Sequence, residues 1–542
     1  FGWANLALFS ILIIFLIGWV SAGTYTVLDF DSLLNKSGAV HNSLPNPIQS
    51  AIDSAVSGDI IIVSSGNYNM SFNVSKDNLT IQAAADSYGN GQVNLTTGNS
   101  TAFAWNVHIG NTGAALGING SNTVIKGFTI NVINNSYGII VLANNVTIKD
   151  NIFKYVGNSS GVVGAQNPQI SNASFIYISS LYSNITSAWI VNNNFTNLTS
   201  TNIEVSAIHV VASSNNVSNI IIANNTIMAG NYTGGDIGRS NGIFLDGGRV
   251  GIKIFSVVIE DNNITGTKYG VYLSNVTSVN ITRNTIINST WAGISLKMFK
   301  NYTSGLSDEF YIKWNNISNH PVAGIYLCNA TGGKYPGYIS DVSNKIISYN
   351  SFTGNGFAVN NSCWDANVTA FNLTFNYWGD TKGPGNVTHS TTDYGNGLNI
   401  SQGNMTSYAP WYEDSQMAVL HSIKIGTTYY NTLDLAVASA THSDVITLGN
   451  GTYETNASLF SLRSITIRGA SADDTTIKGN SSIAVLTLGN TSLLTNVTVQ
   501  NNKRNTSILA LGNDFTIKNS KFYDGTPAIF VKSDKMNISQ GN

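Results

Sequence analysis

The chain repeats a unit of a little over twenty residues, and this period limits the folds that it can adopt. Two copies lie next to each other in residues 259–296, IEDNNITGTKYGVYLSNVTSVNITRNTIINSTWAGISL. Gly270 begins the segment Gly-Val-Tyr-Leu in the first copy, and Gly293 begins Gly-Ile-Ser-Leu in the second. Related Gly-apolar-x-Leu segments begin at Gly242 and Gly324. A period of this length is typical of coils stacked on one another.

The residues within each unit predict β-strands joined at tight corners. Apolar residues alternate with Asn and Thr, so one side of each segment faces an interior and the other faces water. Asn and Gly tolerate the left-handed backbone that a corner requires. We therefore predict an all-β right-handed parallel β-helix, in which Gly270–Leu273 pairs in parallel with Gly293–Leu296. The alternative, an antiparallel sandwich, would need turns every eight to twelve residues.

Composition limits the partners of such a solenoid. Only 10% of the residues are charged, whereas 42% are hydrophobic, so the predicted exterior consists of Asn, Ser, Thr and Gly. The net charge is −2 and no basic block is present, which argues against a nucleic-acid partner. No His, Cys and Asp residues have zinc-ligand spacing and no loop has EF-hand spacing, so we predict no metal and no cofactor.

Asn-x-Ser/Thr sequons number about 37, and each is an acceptor for an N-linked glycan in an exported protein. Part of this excess follows from the outward-inward-outward pattern of the strands. The count nevertheless predicts an extracellular glycoprotein, with N-linked glycans as its first partners. The predicted glycosylation sites include Asn73, Asn145, Asn231, Asn263, Asn275, Asn301, Asn316, Asn386 and Asn496.

The first 23 residues predict an export segment. Residues 1–20 are uncharged and almost entirely apolar, which is long enough to cross a bilayer as a helix. Small residues follow at 21–23, as at export cleavage sites. Both a cleaved signal peptide and a retained membrane anchor agree with this pattern.

The rest of the chain divides into two predicted β-helix modules, residues 24–407 and 425–542, separated by a linker at 408–424. An amphipathic helix at 47–58 is predicted to cap the first module, and residues 375–384, FNYWGDTKGP, to close it. The opening pattern of helix, Asp, strand and Gly-x-Tyr recurs in the second module, which ends without a closing motif.

These opening and closing motifs resemble those of right-handed β-helix proteins of the NosD-like and pectin-lyase-like group. The opening residues are Gly58-Asp59-Ile60-Ile61-Ile62-Val63 followed by Gly66-Asn67-Tyr68. The resemblance implies a β-helix surface protein, a carbohydrate-binding solenoid or a polysaccharide-cleaving enzyme. The Gly-His-Gly group that the family uses to hydrolyse galacturonan is absent from the sequence.

The densest group of charges is the candidate for a catalytic or calcium site. A glycosidase needs two carboxyl groups across one sugar bond, and a lyase needs a base. The alternative interpretation is salt-bridged surface turns, which we favour. The candidate residues are Asp236, Arg239, Asp246, Arg249, Glu260 and Asp261.

The pattern as a whole favours a non-enzymatic structural or adhesive protein of a cell surface, as in a surface layer or appendage of the archaeal kind. Self-association, other envelope proteins and surface polysaccharide are its expected partners. A polysaccharide lyase or glycoside hydrolase, or a non-catalytic carbohydrate-binding solenoid, is the alternative. Cys328 and Cys363 can form a disulfide in such a protein, or remain as small buried apolar residues.

Overall fold

The structure is a computed structural model of the 542-residue chain. It divides into two compact units, Phe1–Val257 and Val258–Asn542, which are described in turn. The residues that it describes are 23–27, 46–68, 71–84, 93–96, 114–132, 137–155, 172–198, 204–230, 240–247, 252–274, 276–298, 310–329, 345–360, 372–385, 398, 400–401, 408–455, 459–461, 463–479, 484–503, 505–524, 526–532 and 535–539.

The first unit consists of short strands and one described helix. In chain order these are β1 (Thr24–Val27), α1 (Pro47–Ser54), β2 (Ile60–Val63), β3 (Gly66–Tyr68), β4 (Phe72–Val74), β5 (Thr80–Ala83), β6 (Val93–Thr96), β7 (Ala114–Ile118), β8 (Val124–Lys126), β9 (Thr129–Val132), β10 (Tyr137–Val141), β11 (Val146–Lys149), β12 (Ile152–Tyr155), β13 (Asn172–Ser179), β14 (Ala188–Val191), β15 (Asn194–Thr196), β16 (Glu204–Val211), β17 (Val217–Ala223), β18 (Thr226–Met228), β19 (Ser240–Asp246) and β20 (Ile254–Glu260), which contains the division between the units.

From β2 onward, each strand of the first unit pairs with the third strand after it, and this pairing creates three parallel sheets. Sheet A has the order β1-β2-β5-β8-β11-β14-β17-β20, sheet B the order β3-β6-β9-β12-β15-β18, and sheet C the order β4-β7-β10-β13-β16-β19. A connection between parallel strands of one sheet is right-handed because twisted strands join most easily in that sense. The unit is therefore a right-handed parallel β-helix.

The second unit begins with the same three-sheet coil. Its first elements are β21 (Asn263–Thr265), β22 (Tyr269–Ser274), β23 (Val279–Thr282), β24 (Thr285–Ile287), β25 (Ala292–Met298), β26 (Phe310–Lys313), β27 (Asn316–Ser318), β28 (Ala323–Asn329), β29 (Lys345–Ser348), β30 (Ser351–Thr353), β31 (Val359–Asn360) and β32 (Ile400–Ser401). The sheets are D (β23-β26-β29), E (β21-β24-β27-β30) and F (β22-β25-β28-β31-β32).

Three further stacks of mainly parallel strands, and one antiparallel pair, occupy the rest of the second unit. Their elements are β33 (Trp411–Tyr412), β34 (Leu420–His421), β35 (Ile423–Ile425), β36 (Thr428–Tyr429), α2 (Leu433–Ser439), β37 (Val445–Leu448), β38 (Gly451–Thr455), β39 (Leu459–Ser461), β40 (Thr466–Arg468), β41 (Thr475–Gly479), β42 (Ala484–Leu488), β43 (Leu493–Thr495), β44 (Thr498–Asn501), β45 (Thr506–Ala510), β46 (Phe515–Lys518), β47 (Lys521–Tyr523), β48 (Ile529–Val531) and β49 (Met536–Ser539).

The sheets of this last part are β36-β35-β37-β40-β43-β46-β49, β38-β41-β44-β47 and β39-β42-β45-β48. The predicted linker, residues 408–424, contains the antiparallel pair β33–β34 and the start of β35, which pairs antiparallel with β37. The strands after Trp411 thus form sheets of their own, as a second run of coils. The predicted module boundaries remain a prediction, and the compact units divide at a different point.

The predicted register is confirmed by strands β22 and β25. Val271 lies opposite Ile294 and Leu273 opposite Leu296, in parallel. The next copy continues the row, with Leu296 opposite Leu327. The aliphatic side chains of successive coils therefore lie above one another in a buried core, and the antiparallel sandwich is excluded for this segment.

Helix α1 covers apolar residues as predicted but is shorter than the predicted 47–58. Ile48 and Ile52 are fully buried. The helix ends at Ser54 because Ala55 is already extended, with φ −66° and ψ 153°. The Asp59 carboxylate then accepts a hydrogen bond from the Val56 backbone N–H at 2.6 Å, which holds the chain in a turn and leaves Val56 exposed.

Buried asparagines connect successive coils at the corner that follows sheets A and D. In the first unit the Asn193 side-chain oxygen accepts from the backbone N–H and the side-chain amide of Asn151, both at 3.1 Å. Asn225 repeats this arrangement with Asn193. In the second unit the same ladder comprises Asn262, Asn284, Asn315, Asn350 and Asn376.

Candidate functional surface

The residue before each ladder asparagine lies at the outer edge of the corner. We call these residues the corner row. Their φ angles lie between 55° and 63°, a left-handed backbone in which Asn and Asp are the least strained residues after Gly. The corner row comprises Asp150, Asn192 and Asn224 in the first unit, and Asp261, Arg283, Trp314, Tyr349 and Phe375 in the second.

Two of the predicted catalytic candidates meet at the start of the second corner row. Arg283 Nε donates to Asp261 Oδ1 at 2.9 Å, and Arg283 Nη2 donates to Asp261 Oδ2 at 2.8 Å and to Glu260 Oε2 at 2.6 Å. The hydrogen bonds and charges of Asp261 and then Glu260 raise the pKa of the Arg283 guanidinium. Asp261 and Glu260 therefore share one permanent cation.

This arrangement is poorly suited to acid–base chemistry on a sugar. Both carboxylates are engaged in hydrogen bonds with Arg283, whereas a general acid must present its carboxyl group to the glycosidic oxygen. The three side chains are also between about one third and one half exposed. The structure thus shows an exposed salt bridge of Arg283 with Glu260 and Asp261. The salt-bridged turns favoured from the sequence, at Asp236, Arg239, Asp246 and Arg249, remain a prediction.

Asp246 lies at the end of β19, on the outer face of sheet C. Strand β19 pairs with β16, where Asp246 is opposite Val211 and Phe244 is opposite His209. His209 is 3% exposed, and its ring stacks on Phe244 at 4.4 Å. Burial lowers the pKa of His209 to about 3, so its imidazole is neutral. Burial, with a smaller contribution from Asp246, raises the pKa of Tyr177 on the neighbouring strand.

The remaining members of the predicted charge cluster, Asp236, Arg239 and Arg249, lie outside the described residues. In the described ranges no three His, Cys, Asp or Glu side chains form a group that would hold a metal ion. His320, which is fully buried, has a structural role instead: its Nδ1 accepts from the Ser289 backbone N–H at 3.0 Å, and its Nε2 lies 3.1 Å from the Ile286 carbonyl oxygen.

The second half of the corner row is a column of aromatic rings that was not predicted. Trp314 stacks on Tyr349 with 4.3 Å between ring centroids and 15° between planes. Tyr349 stacks on Phe375 at 5.1 Å and 10°. Trp314 remains 50% exposed. Because Tyr349 lies between two stacked rings, the exposed end of this column is Trp314.

Sequon asparagines recur at one position, the first residue of the strand after the corner. Asn194, Asn263 and Asn316 occupy it on β15, β21 and β27, and the side chains of all three are exposed. Asn263 lies opposite Thr285, which lies opposite Asn316. The corner residue therefore stands two positions before each of these asparagines, as Asn192, Asp261 and Trp314 respectively.

The other predicted sites are distributed over the described surface or lie outside it. Asn145 is exposed, while Asn73 and Asn496 are half-buried. Those outside the described residues are Asn231, Asn275, Asn301, Asn386 and Cys363. Cys328 is on β28, but its side chain is not described, so the predicted disulfide remains a prediction.

Two further predictions concern the ends of the first predicted module. Trp378 is fully buried and stacks on Phe352 at 5.5 Å, so it covers the coil as a capping residue would and presents no face to a sugar. The predicted apolar helix at 1–20 lies outside the described residues. The described helices α1 and α2 are each too short and too polar to cross a membrane.

Comparison with known proteins finds similarity only among solved structures. No protein-family profile and no curated protein matches the sequence. A Yersinia enterocolitica family 28 exopolygalacturonase has 10% identity and a TM-score of 0.38, covering 96% of this chain and 78% of its own. PfbA, a surface adhesin of Streptococcus pneumoniae, has 13% identity and a TM-score of 0.32, covering 96% and 93%.

An alginate lyase from Paenibacillus sp. str. FPU-7 has 13% identity and a TM-score of 0.32, covering 63% of this chain and 97% of its own. These neighbours are thus two polysaccharide-degrading enzymes and an adhesin. The assignment of this chain as a parallel β-helix rests on its own strand register, since Leu273, Leu296 and Leu327 lie in one parallel row.

Proposed function

We propose that the protein is an extracellular, N-glycosylated β-helix with a structural or adhesive role at a cell surface, and that it is not an enzyme. The observation that carries this proposal is the repeated presentation of sequon asparagines. Asn194, Asn263 and Asn316 project outward at equivalent positions of their coils, and each belongs to an Asn-x-Ser/Thr sequence. A glycan at such a position extends into solvent without disturbing the core.

The charge distribution supports a role without turnover. The closest described pair of candidate acids, Glu260 and Asp261, is held by Arg283 in three hydrogen bonds. Only 10% of the residues of the chain are charged, so its exterior is rich in amide and hydroxyl groups, which are suited to attachment and to packing against other surface molecules. Self-association, envelope proteins and surface polysaccharide are the proposed partners.

Glycopeptide mapping of the secreted protein, together with its intact mass, tests the first half of this proposal. We expect glycans on the exposed Asn194, Asn263 and Asn316. Asn360 provides a matched control because it is also a sequon but is only 7% exposed, and we expect it to be unoccupied. An unmodified chain from a glycosylating host would overturn the glycoprotein assignment.

A turnover assay tests the second half. Polygalacturonate and alginate are incubated with the wild-type protein and with Glu260→Gln, and both new reducing ends and unsaturated products are measured. We expect no product from either protein. Cleavage by the wild type that Glu260→Gln abolishes would make the protein a polysaccharide-degrading enzyme of the kind that the fold also supports.

A further inference from the structure

Three corners of the coil share one arrangement and differ in the residue at the corner. Each has a left-handed corner residue, a buried ladder asparagine and then an exposed sequon asparagine. The corner residue is Asn192 before Asn194, with φ 57°, and Asp261 before Asn263, with φ 55°. Before Asn316 it is Trp314, with φ 61°.

A tryptophan is a costly choice at this position. Bulky residues are genuine outliers at positive φ, since their β-carbon crowds the backbone, whereas asparagine is tolerated there. Stacking on Tyr349 recovers part of this cost. Half of the Trp314 surface remains exposed to water, and this exposed part does not stabilise the fold. Strained residues that persist in this way often have a function.

We propose that Trp314 is the packing platform for the first sugar of an N-linked glycan on Asn316. The inference rests on the proposed glycosylation and names the residue that recognises the glycan. Residues i and i+2 lie within about 7 Å of each other. Asn315 between them points into the ladder, so Trp314 and Asn316 both project from the outer edge of one corner.

The chemistry of the two partners is complementary. A pyranose ring has one face covered by C–H groups, and an indole presents a large flat apolar face with a negative potential. The attached sugar is tethered at a high effective concentration, so the contact forms without the entropic cost of a separate binding event. Asp261 offers no such face to a glycan on Asn263, because its carboxylate is bound to Arg283.

Tyr182 and Asn184 repeat the spacing in the first unit. Tyr182 is 62% exposed, and it stands two residues before Asn184, an exposed asparagine of an Asn-Ile-Thr sequon. The Asn184 side-chain oxygen accepts from the Asn216 backbone N–H at 3.0 Å, which fixes the amide and leaves its nitrogen for the glycan. We infer the same role for Tyr182, with a smaller ring.

The rate of enzymatic release of glycans from the folded protein tests this proposal. The full chain is secreted from an N-glycosylating host and treated with a peptide N-glycanase without denaturant, and release from Asn316 and Asn263 is followed by glycopeptide mass spectrometry. We expect release from Asn316 to be about fivefold slower than from Asn263, the factor that corresponds to one aromatic contact.

Two variants distinguish the loss of the aromatic platform from a general effect on folding. Trp314→Asn copies the corner of Asn192, and we expect it to release both glycans at the rate of Asn263. Trp314→Phe keeps a flat ring, and we expect it to retain at least half of the protection. The release rate at Asn263 reports folding, because an unfolded variant would accelerate both sites.

Equal rates of glycan release from Asn316 and Asn263 in the wild type would overturn the inference. Slow release from Asn316 that is unchanged in Trp314→Asn would also overturn it, as would an Asn316 that carries no glycan while Asn263 is glycosylated. In all three cases the proposed glycoprotein function stands. A chain with no glycan at any sequon overturns both proposals, so the two failures are distinguishable.

Discussion

The corner rows of the two units have the same left-handed backbone conformation, but they differ in the side chains that they expose to solvent. In the first unit the row reads Asp150, Asn192 and Asn224, all small polar residues suited to positive φ. In the second it reads Asp261, Arg283, Trp314, Tyr349 and Phe375, a charged start followed by an aromatic column. Behind both rows the asparagine ladders have the same hydrogen bonds.

This difference shows that the two residues of each corner have different roles. The buried asparagine satisfies backbone groups that the turn would otherwise leave unpaired, so it cannot be exchanged without loss. The residue before it must only accept a left-handed backbone, and its side chain is free to vary. Variation in the corner row therefore changes the surface of the protein while the coil remains the same.

The largest expected effect comes from breaking the ladder itself. Asn315→Ala removes an amide that donates to the Ile281 carbonyl at 2.9 Å and accepts from the Asn284 backbone N–H at 2.9 Å. Several buried groups lose their partners, and we expect the free energy of unfolding to fall by about 3–5 kcal/mol. Denaturant unfolding measures this loss.

Asn316→Ala in unglycosylated protein is the matched control, because it changes the exposed neighbour of Asn315. We expect the free energy of unfolding of this variant to stay within about 0.5 kcal/mol of the wild type. Equal losses in the two variants would show that the ladder has no special role in stability.

Two buried histidines, His209 in the first unit and His320 in the second, provide a further comparison between the units. The His209 ring nitrogens have no hydrogen-bond partner among the described residues, whereas both nitrogens of His320 are engaged. His209→Phe replaces unsatisfied polar atoms by a ring that matches Phe244 beside it, so we expect it to raise the free energy of unfolding by about 1–3 kcal/mol. His320→Phe should lower it by a similar amount.

The difference in free energy of unfolding between His209→Phe and the wild type should also grow as the pH falls. The folded protein holds His209 neutral, with a pKa of about 3, while the unfolded chain takes up a proton near the ordinary value of 6.5. Proton uptake by the unfolded chain therefore leaves the wild type unaffected above pH 6.5, and it lowers the free energy of unfolding progressively between about pH 6.5 and 3. Urea unfolding at pH 7 and pH 4.5 measures the change. An advantage independent of pH would show that His209 is protonated in the folded state.

A smaller effect is expected at the charged start of the second corner row. Arg283→Gln breaks the exposed ion pairs with Glu260 and Asp261, and exposed pairs contribute little because water and salt screen them. We expect the free energy of unfolding to fall by less than about 1 kcal/mol, and by less still in 0.5 M NaCl. A loss of several kcal/mol, independent of salt, would instead identify a structural lock.

The smallest expected effect is that of Trp314→Asn in unglycosylated protein. Loss of the stack on Tyr349 costs about 0.5–1.5 kcal/mol, and relief of the left-handed backbone strain returns about 1 kcal/mol. The free energy of unfolding should therefore change by no more than about 0.5 kcal/mol. A loss above 2 kcal/mol would mean that the aromatic column stabilises the second unit, and that its exposure has a structural origin.

The sequence by itself determined the parallel coil, because its signals are local. Alternation in segments such as Val271 and Leu273 sets which side chains enter the core, and the asparagines mark the corners. It placed Glu260 and Asp261 among the candidate charged residues, but it could not identify Arg283 as their shared partner.

Only the tertiary structure decided which residues of different coils lie above one another. The ladder asparagines Asn284, Asn315, Asn350 and Asn376 are separated by 31, 35 and 26 residues, because the segments between them vary in length while the coil advances by one strand spacing of about 4.8 Å. No fixed period therefore predicts that Trp314, Tyr349 and Phe375 form one column, or that Trp314 stands beside Asn316 with half of its surface exposed. Side chains far apart in the chain become neighbours here because stacked strands hydrogen-bond in register, and that register is a property of the folded coil.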